Sequence, residues 1–214
     1  MAELLIIRHG QAAFGADNYD QLSDLGQRQS AAVGAHLRRT GWLPDRVITG
    51  TLTRQKETLS AMGFDAKPKE HAGFNEYDFH DLLHTRFGGR APDLVLQDRK
   101  THFRTLRETI LEWQQGGISG ARETWSQFVQ RVADARDFAT QPGADRVLVI
   151  SSGGVIGQLV ASALSTPSAI MMELNLQVKN SSMHRFLFSR GRVTLTEFNA
   201  TPHFDAQREL LSYS

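Results

Sequence analysis

Apolar residues in this chain fall into compact runs separated by amphipathic stretches. Leu4-Leu5-Ile6-Ile7 is a short apolar run that stops at Arg8-His9-Gly10, as a buried strand would. Arg46-Val47-Ile48-Thr49 reads as a second strand, and Arg146-Val147-Leu148-Val149-Ile150 as the clearest buried strand of all. Between the first two, Ser23 precedes Asp24-Leu25-Gly26-Gln27-Arg28-Gln29. Leu25, Ala32, Val33 and Leu37 then recur at helical spacing toward Gly41, which predicts an amphipathic helix. Leu52 to Met62 predicts the helix behind the second strand. This βαβα order argues for an α/β fold with a parallel sheet covered by helices.

The middle, roughly Phe79 to Thr140, reads as helical, with Thr101–Gln115 and Glu123–Ala139 divided by Gly116-Gly117-Ile118-Ser119-Gly120. After the third strand comes Ser151-Ser152-Gly153-Gly154 and then an apolar helix, Val155 to Leu164. Met183–Ser189 and Val193–Phe198 flank a turn at Arg190-Gly191 and suggest a hairpin. Phe14 to Gln21 reads as a polar loop, and no repeat or low-complexity tract interrupts the pattern. A length of 214 residues suits one large domain over 1–214, with a mainly helical insertion around 77–122.

Composition changes this picture only by exclusion. The apolar fraction of 40% and charged fraction of 22% are those of an ordinary globular chain. A net charge of +1 supplies no global basic field for nucleic acid or an anionic membrane. The absence of cysteine removes disulfides, thiolate metal sites and cysteine phosphatase chemistry, and fits a reducing compartment. The start, Met1-Ala2-Glu3-Leu4, has no basic region, and its apolar run is too short for a signal peptide or membrane span, so the expected location is cytoplasmic. His71, His80, His84 and His102 lack metal-ligand spacing and are read as non-ligands; no metal and no cofactor are expected. Phe79, Trp113, Trp125 and Phe128 are expected in the core.

In doubly wound sheets ligands bind at the carboxyl ends of the strands. Here those ends carry Arg8-His9-Gly10, Thr49 to Arg54, and Ser151 to Gly154. A fold that gathers them brings two arginines and a histidine into one pocket. Arginine presents a planar fork suited to phosphate oxygens, and a histidine beside it can attack phosphorus.

With those residues in view, the chain resembles the histidine phosphatase (phosphoglycerate mutase-like) superfamily. Arg8-His9-Gly10-Gln11 meets the opening Arg-His-Gly-(Glu/Gln) motif, and Leu22-Ser23-Asp24-Leu25-Gly26-Gln27-Arg28-Gln29 meets the Leu-(Ser/Thr)-x-x-Gly-x-x-Gln run. Gly50-Thr51-Leu52-Thr53-Arg54-Gln55-Lys56-Glu57-Thr58 matches the Ser-x-Leu-x-Arg-x-x-x-Thr element loosely. Phe74-Asn75-Glu76 sits where the family places its proton-donating acid, and Glu123-Thr124 with Arg131-Val132 resembles the start of the following helix. The resemblance implies a three-layer α/β/α sandwich with a mostly parallel central sheet. It implies a phosphomonoesterase acting on a small phosphorylated substrate, with His9 as nucleophile and Glu76 as proton donor. Arg8, Arg54, Ser152 and Gly153 would hold the phosphate.

Ser152 is the principal departure, because the family reads Ser-His-Gly-Gly there. Losing one positioned donor typically slows a reaction by about 10²–10³. Serine before Gly-Gly is also an N-cap pattern, so Ser152 is expected to cap the next helix, with phosphate contact as a second role. His184 is read as a structural strand histidine, with replacement of the missing histidine as the alternative. Gly15 stands where some relatives carry asparagine, and Phe14 and Tyr19 are candidate pocket walls. Specificity would come from the segment between Glu76 and Glu123, where Arg86, Arg90, Arg99 and Lys100 are candidates. Two other functions stay open: phosphoglycerate mutase-type transfer, and a weakly active or non-catalytic phosphate binder. A homodimer is left open too.

Overall fold

A computed structural model describes residues 1–13, 20–89 and 99–213, and the expected loop residues Phe14, Gly15 and Tyr19, together with Arg90, lie outside them. Six strands form one sheet in the order β3-β2-β4-β1-β5-β6. They are β1 (Ala2–Arg8), β2 (Arg46–Thr49), β3 (Lys69–Glu70), β4 (Arg146–Ser151), β5 (Met183–Ser189) and β6 (Arg192–Ala200). The first four run parallel, while β5 and β6 are antiparallel. Seven α-helices occur among the described residues: α1 (Asp24–Arg39), α2 (Thr53–Met62), α3 (Phe79–Arg86), α4 (Arg99–Gln114), α5 (Trp125–Ala139), α6 (Gly153–Ala163) and α7 (Ala169–Gln177). None of them is long and apolar enough to cross a membrane.

The pleat of the central strands sorts their side chains into two cores. Leu4 and Ile6 of β1 and Val147 and Val149 of β4 face a core with Phe128 and Val132 of α5 and Val155 and Ile156 of α6. Their neighbours Leu5, Ile7, Leu148 and Ile150 face the opposite core with Val33 and Leu37 of α1 and Leu59 and Met62 of α2. This two-sided burial explains why β1 and β4 read as continuous apolar runs. Trp113 and Phe128 sit deep in the first core, and Phe79 and Trp125 pack partly buried against it.

Differences from the sequence reading lie mostly at element ends. The helix expected from Glu123 starts at Trp125, because Thr124 closes a capping box with Gln127. The expected hairpin forms, and Arg190 and Gly191 both have positive φ, as a tight two-residue turn requires. The two-residue β3 and helix α7 were not anticipated. The close approach of α1 to α2 rests on Gly34, where an added Cβ would lie 1.9 Å from the Met62 carbonyl oxygen.

Candidate active site

The parallel register Arg8↔Ser151 brings the carboxyl ends of β1 and β4 side by side, and the His9 N–H donates to the Ser151 carbonyl at 2.9 Å. The segment after His9 is held by α1. The Gln11 N–H donates to Gln29 Oε1 at 2.8 Å, and the Ser23 hydroxyl donates to Gln11 Oε1 at 2.9 Å. Glycine is required at position 10, since a Cβ there would stand 2.5 Å from the Gly26 carbonyl oxygen. The Gly10 N–H donates to Thr58 Oγ1, which in turn donates to the Arg54 carbonyl, so α2 is tied to the same turn.

His9 is buried, and its Nδ1 lies 2.7 Å from the Gly10 carbonyl oxygen. A carbonyl only accepts, so Nδ1 carries the proton and Nε2 keeps its lone pair. That lone pair accepts from Arg54 Nε at 3.2 Å. Burial, then the positive charges of Arg54 and Arg8, hold the His9 pKa well below 6.5. The ring is therefore neutral at pH 7.

Arg54 is buried beside His9 rather than exposed on the helix surface, with only 8% of its surface accessible. Its Nη1 donates to Asp20 Oδ1 at 2.8 Å, and Asp20 Oδ2 accepts from the Thr53 N–H at 2.8 Å. Leu52 makes no side-chain cap on α2, so Asp20 satisfies this helix end from a distant segment. Arg8 is anchored through Nη1 to the Val178 carbonyl at 2.5 Å, and Gly153 lies against its guanidinium.

Glu76 reaches the start of α6. Its Oε2 accepts from the Gly154 N–H at 3.0 Å and its Oε1 from the Tyr77 N–H at 3.2 Å. A Cβ on residue 154 would fall 2.4 Å from Glu76 Oε1, so the second glycine of the pair admits the carboxylate. The backbone leading to Glu76 is fixed by Arg131, whose Nη1 donates to the carbonyls of Gly73 and Asn75 while its Nε and Nη2 grip Glu123. On the other side, the Thr51 N–H donates to Asn75 Oδ1 at 2.7 Å.

Ser152 occupies the N-cap position of α6, but its side chain makes no cap bond. It is fully buried, and its Oγ accepts from Gln55 Nε2 at 2.9 Å. The expected capping role thus passes to Glu76 at Gly154. His184 is also fully committed: Nδ1 accepts from the Asn199 N–H, and Nε2 lies 3.0 Å from Ser182 Oγ. Burial and Arg8 push its pKa down to about 3, so this ring is a neutral structural group. Among the other candidates, Arg86 pairs with Glu112 of α4, and the side chains of Arg99 and Lys100 lie outside the described residues.

Asp20 and Asn175 were not singled out from sequence, and Gln55 entered only as a position within the Arg54 motif, with no role of its own. Asn175 of α7 donates to the Tyr77 hydroxyl at 2.9 Å, and its Oδ1 would lie 2.4 Å from a Cβ on residue 153. The pattern Arg131-Val132 was noticed, but its link to Glu76 needs the fold.

The site is thus a neutral buried histidine at the end of β1, hydrogen-bonded by Arg54 and under the positive charge of Arg8, in a mostly parallel α/β sheet, with side chains chemically suited to a phosphate group. A family model of the histidine phosphatase superfamily (branch 1) matches residues 4–201, and the chain belongs to that superfamily. It is 24% identical over 197 residues to the probable phosphoglycerate mutase GpmB of Erwinia tasmaniensis, covering 86% of this chain and 84% of that one. Its fold is similar to that of a putative alpha-ribazole-5'-P phosphatase from Escherichia coli, with TM-score 0.69 and 22% identity over 94% of this chain and 98% of the other. It is also similar to phosphoserine phosphatase from Entamoeba histolytica in complex with 3-phosphoglyceric acid, with TM-score 0.67, 19% identity and coverage of 95% and 99%.

Proposed function

We propose that this protein is a phosphomonoesterase that works through a phosphohistidine on His9. The observation that carries the reading is the Nδ1 to Gly10 carbonyl contact of 2.7 Å, which leaves the Nε2 lone pair beside Arg54. In the first step Nε2 attacks phosphorus in line, the ester P–O bond breaks, and the leaving oxygen takes a proton from the Glu76 carboxyl. Arg8 and Arg54 hold the equatorial oxygens, where electrostatic stabilisation contributes most. The Gly10 carbonyl accepts from Nδ1 throughout and supports the positive charge of the phosphorylated ring. In the second step water attacks phosphorus, its proton passes to the Glu76 carboxylate, and the P–N bond electrons return to Nε2. The residues supply this chemistry without a metal. Relatives of similar fold named for phosphoserine and alpha-ribazole-5'-P make a small phosphorylated metabolite the fitting substrate class.

Rapid quench with a labelled phosphomonoester tests this. The expected product is an acid-labile, base-stable phosphoenzyme that is absent from His9→Ala. Label on a serine or aspartate, or unchanged turnover in His9→Ala, would sink the proposal. Transfer of the label to a second hydroxyl of a phosphoglycerate rather than to water would instead identify mutase chemistry. Phosphate binding with no turnover would identify a non-catalytic binder.

A further inference from the structure

Among the buried polar groups that the proposed mechanism leaves unused is Gln55, one residue after Arg54 and fully inaccessible. Its amide orientation is fixed by chemistry. Nε2 lies 2.8 Å from the Phe74 carbonyl oxygen, which can only accept, so the NH₂ group faces that way. Its second proton goes to Ser152 Oγ at 2.9 Å. Oε1, which meets no donor among the described residues, packs against Gly50, where an added Cβ would lie 1.9 Å away. Gly50 stands at the serine of the Ser-x-Leu-x-Arg element and Ser152 at the histidine of Ser-His-Gly-Gly, so each is a departure from a resembled motif. Both touch the same side chain. The room released by a missing Cβ at 50 and a small residue at 152 is filled by Gln55.

The Phe74 carbonyl adds a second consequence. It also accepts from the Ser151 hydroxyl at 2.9 Å, so Gln55 joins the start of α2, the end of β4 and the turn that carries Glu76 two residues on.

We infer that Gln55 is a positioning residue for Glu76, and that Gly50, Gln55 and Ser152 form one interdependent unit beneath the pocket. The inference rests on the phosphatase reading in that Glu76 is taken as the proton donor. Ser152, sealed under Gln55, acts through this unit rather than by touching the transferring oxygens.

Two arms test it. In the first, wild type and Gln55→Met are compared on an aryl phosphate (p-nitrophenyl phosphate) and an alkyl phosphate (glycerol 2-phosphate). Methionine keeps most of the volume but loses both hydrogen bonds. An alkyl leaving group needs the proton that Glu76 delivers, whereas nitrophenolate leaves without one. Gln55→Met is expected to lower kcat/KM, which reports the phosphorylation step and not the hydrolysis shared by all esters, roughly 10-fold more on the alkyl ester than on the aryl ester. An equal loss on both, or none, overturns the positioning role. In the second arm, Ser152→His is made with Gln55 and with Gln55→Ala, and thermal midpoints are read. Histidine should lower the midpoint sharply beside Gln55 and be tolerated beside alanine, because the imidazole needs the space the amide fills. Neighbours in contact couple by roughly 2- to 100-fold in equilibrium terms. Additive shifts overturn the unit. A wild type inert toward both esters would instead remove the phosphatase reading, a result distinct from active enzyme with no difference between leaving groups.

Discussion

Arg54 meets His9 side-on, with its Nε 3.2 Å from the His9 Nε2 while its Nη1 turns to Asp20 at 2.8 Å. In the proposed mechanism the hydrogen bond to Nε2 occupies the attacking lone pair, so a substrate phosphoryl group has to displace it. Arg54 then has to re-aim its Nε–H at a phosphoryl oxygen, and the Asp20 pair keeps the rest of the guanidinium in place meanwhile.

Asp20 should therefore matter to stability as a cap as much as by its charge. Asp20→Ala removes the acceptor for the Thr53 N–H and is expected to cost about 0.5–2 kcal/mol in urea unfolding. Asp20→Asn retains an acceptor oxygen but gives up the charge opposite Arg54, so it should lose less than the alanine variant. Equal losses in the two variants would mean that the helix end is satisfied in another way.

The tautomer of His9 is directly observable. Nitrogen-15 spectra at pH 6 should show a neutral ring with protonated Nδ1 and bare Nε2, because burial and the two arginines hold its pKa well below 6.5. A ring that gains its second proton near the ordinary imidazole value would contradict the electrostatics of the pocket.

Stability should decline on mild acidification. His184 and His203 are each pushed down to about 3, chiefly by burial, from an ordinary value of 6.5. Above that value neither state binds protons on these rings. As pH falls from it toward 3, the unfolded chain takes up protons that the folded rings refuse, so stability is full at the top of this window and is lost going down. The limiting slope is about 1.4 kcal/mol per pH unit for each ring. Urea midpoints across pH 7.5 to 4.5 should show it, and His203→Gln should reduce the slope by about one proton.

Removing the proposed acid should separate leaving groups. Glu76→Gln is expected to lower kcat/KM for alkyl phosphates by about 10²–10⁴ while sparing much of kcat/KM for p-nitrophenyl phosphate, although hydrolysis of the shared phosphoenzyme slows for both. Arg131→Lys keeps a positive charge but loses the fork that joins Glu123 to the Gly73 and Asn75 carbonyls, so it should shift the leaving-group preference the same way, to a smaller degree. A uniform loss across esters would place Arg131 outside the acid's support.

The sequence made some of this legible and hid the rest for physical reasons. Strands β1 and β4 announce themselves because burial on both faces demands unbroken apolar runs, and the Arg190-Gly191 turn is a local rule. Helix α7 gave no such signal: Met171 and Met172 are both buried beside a half-exposed Ile170, so no single stripe marks its inner face. Motif order singled out His9, Arg54 and Glu76 as candidates, and the fold sets Arg54 against His9. Asp20 and Asn175 were not singled out, because each acquires meaning only from a partner on another element. Gln55 was hidden for a different reason, since a buried amide inside a polar helical stretch looks like any surface glutamine until Phe74 and Ser152 are seen to enclose it.

The doubly bonded Phe74 carbonyl has a consequence for how this scaffold can be altered. One oxygen atom serves as a shared knot for a hydroxyl from the sheet and an amide from a helix, just upstream of Glu76. With Glu76 as the proposed acid, loosening either strand of that knot would disturb the other and couple leaving-group chemistry to phosphate-end geometry. Redesign that swaps one without the other will meet resistance at Phe74, and variants that succeed should change position 50, 55 or 152 in concert.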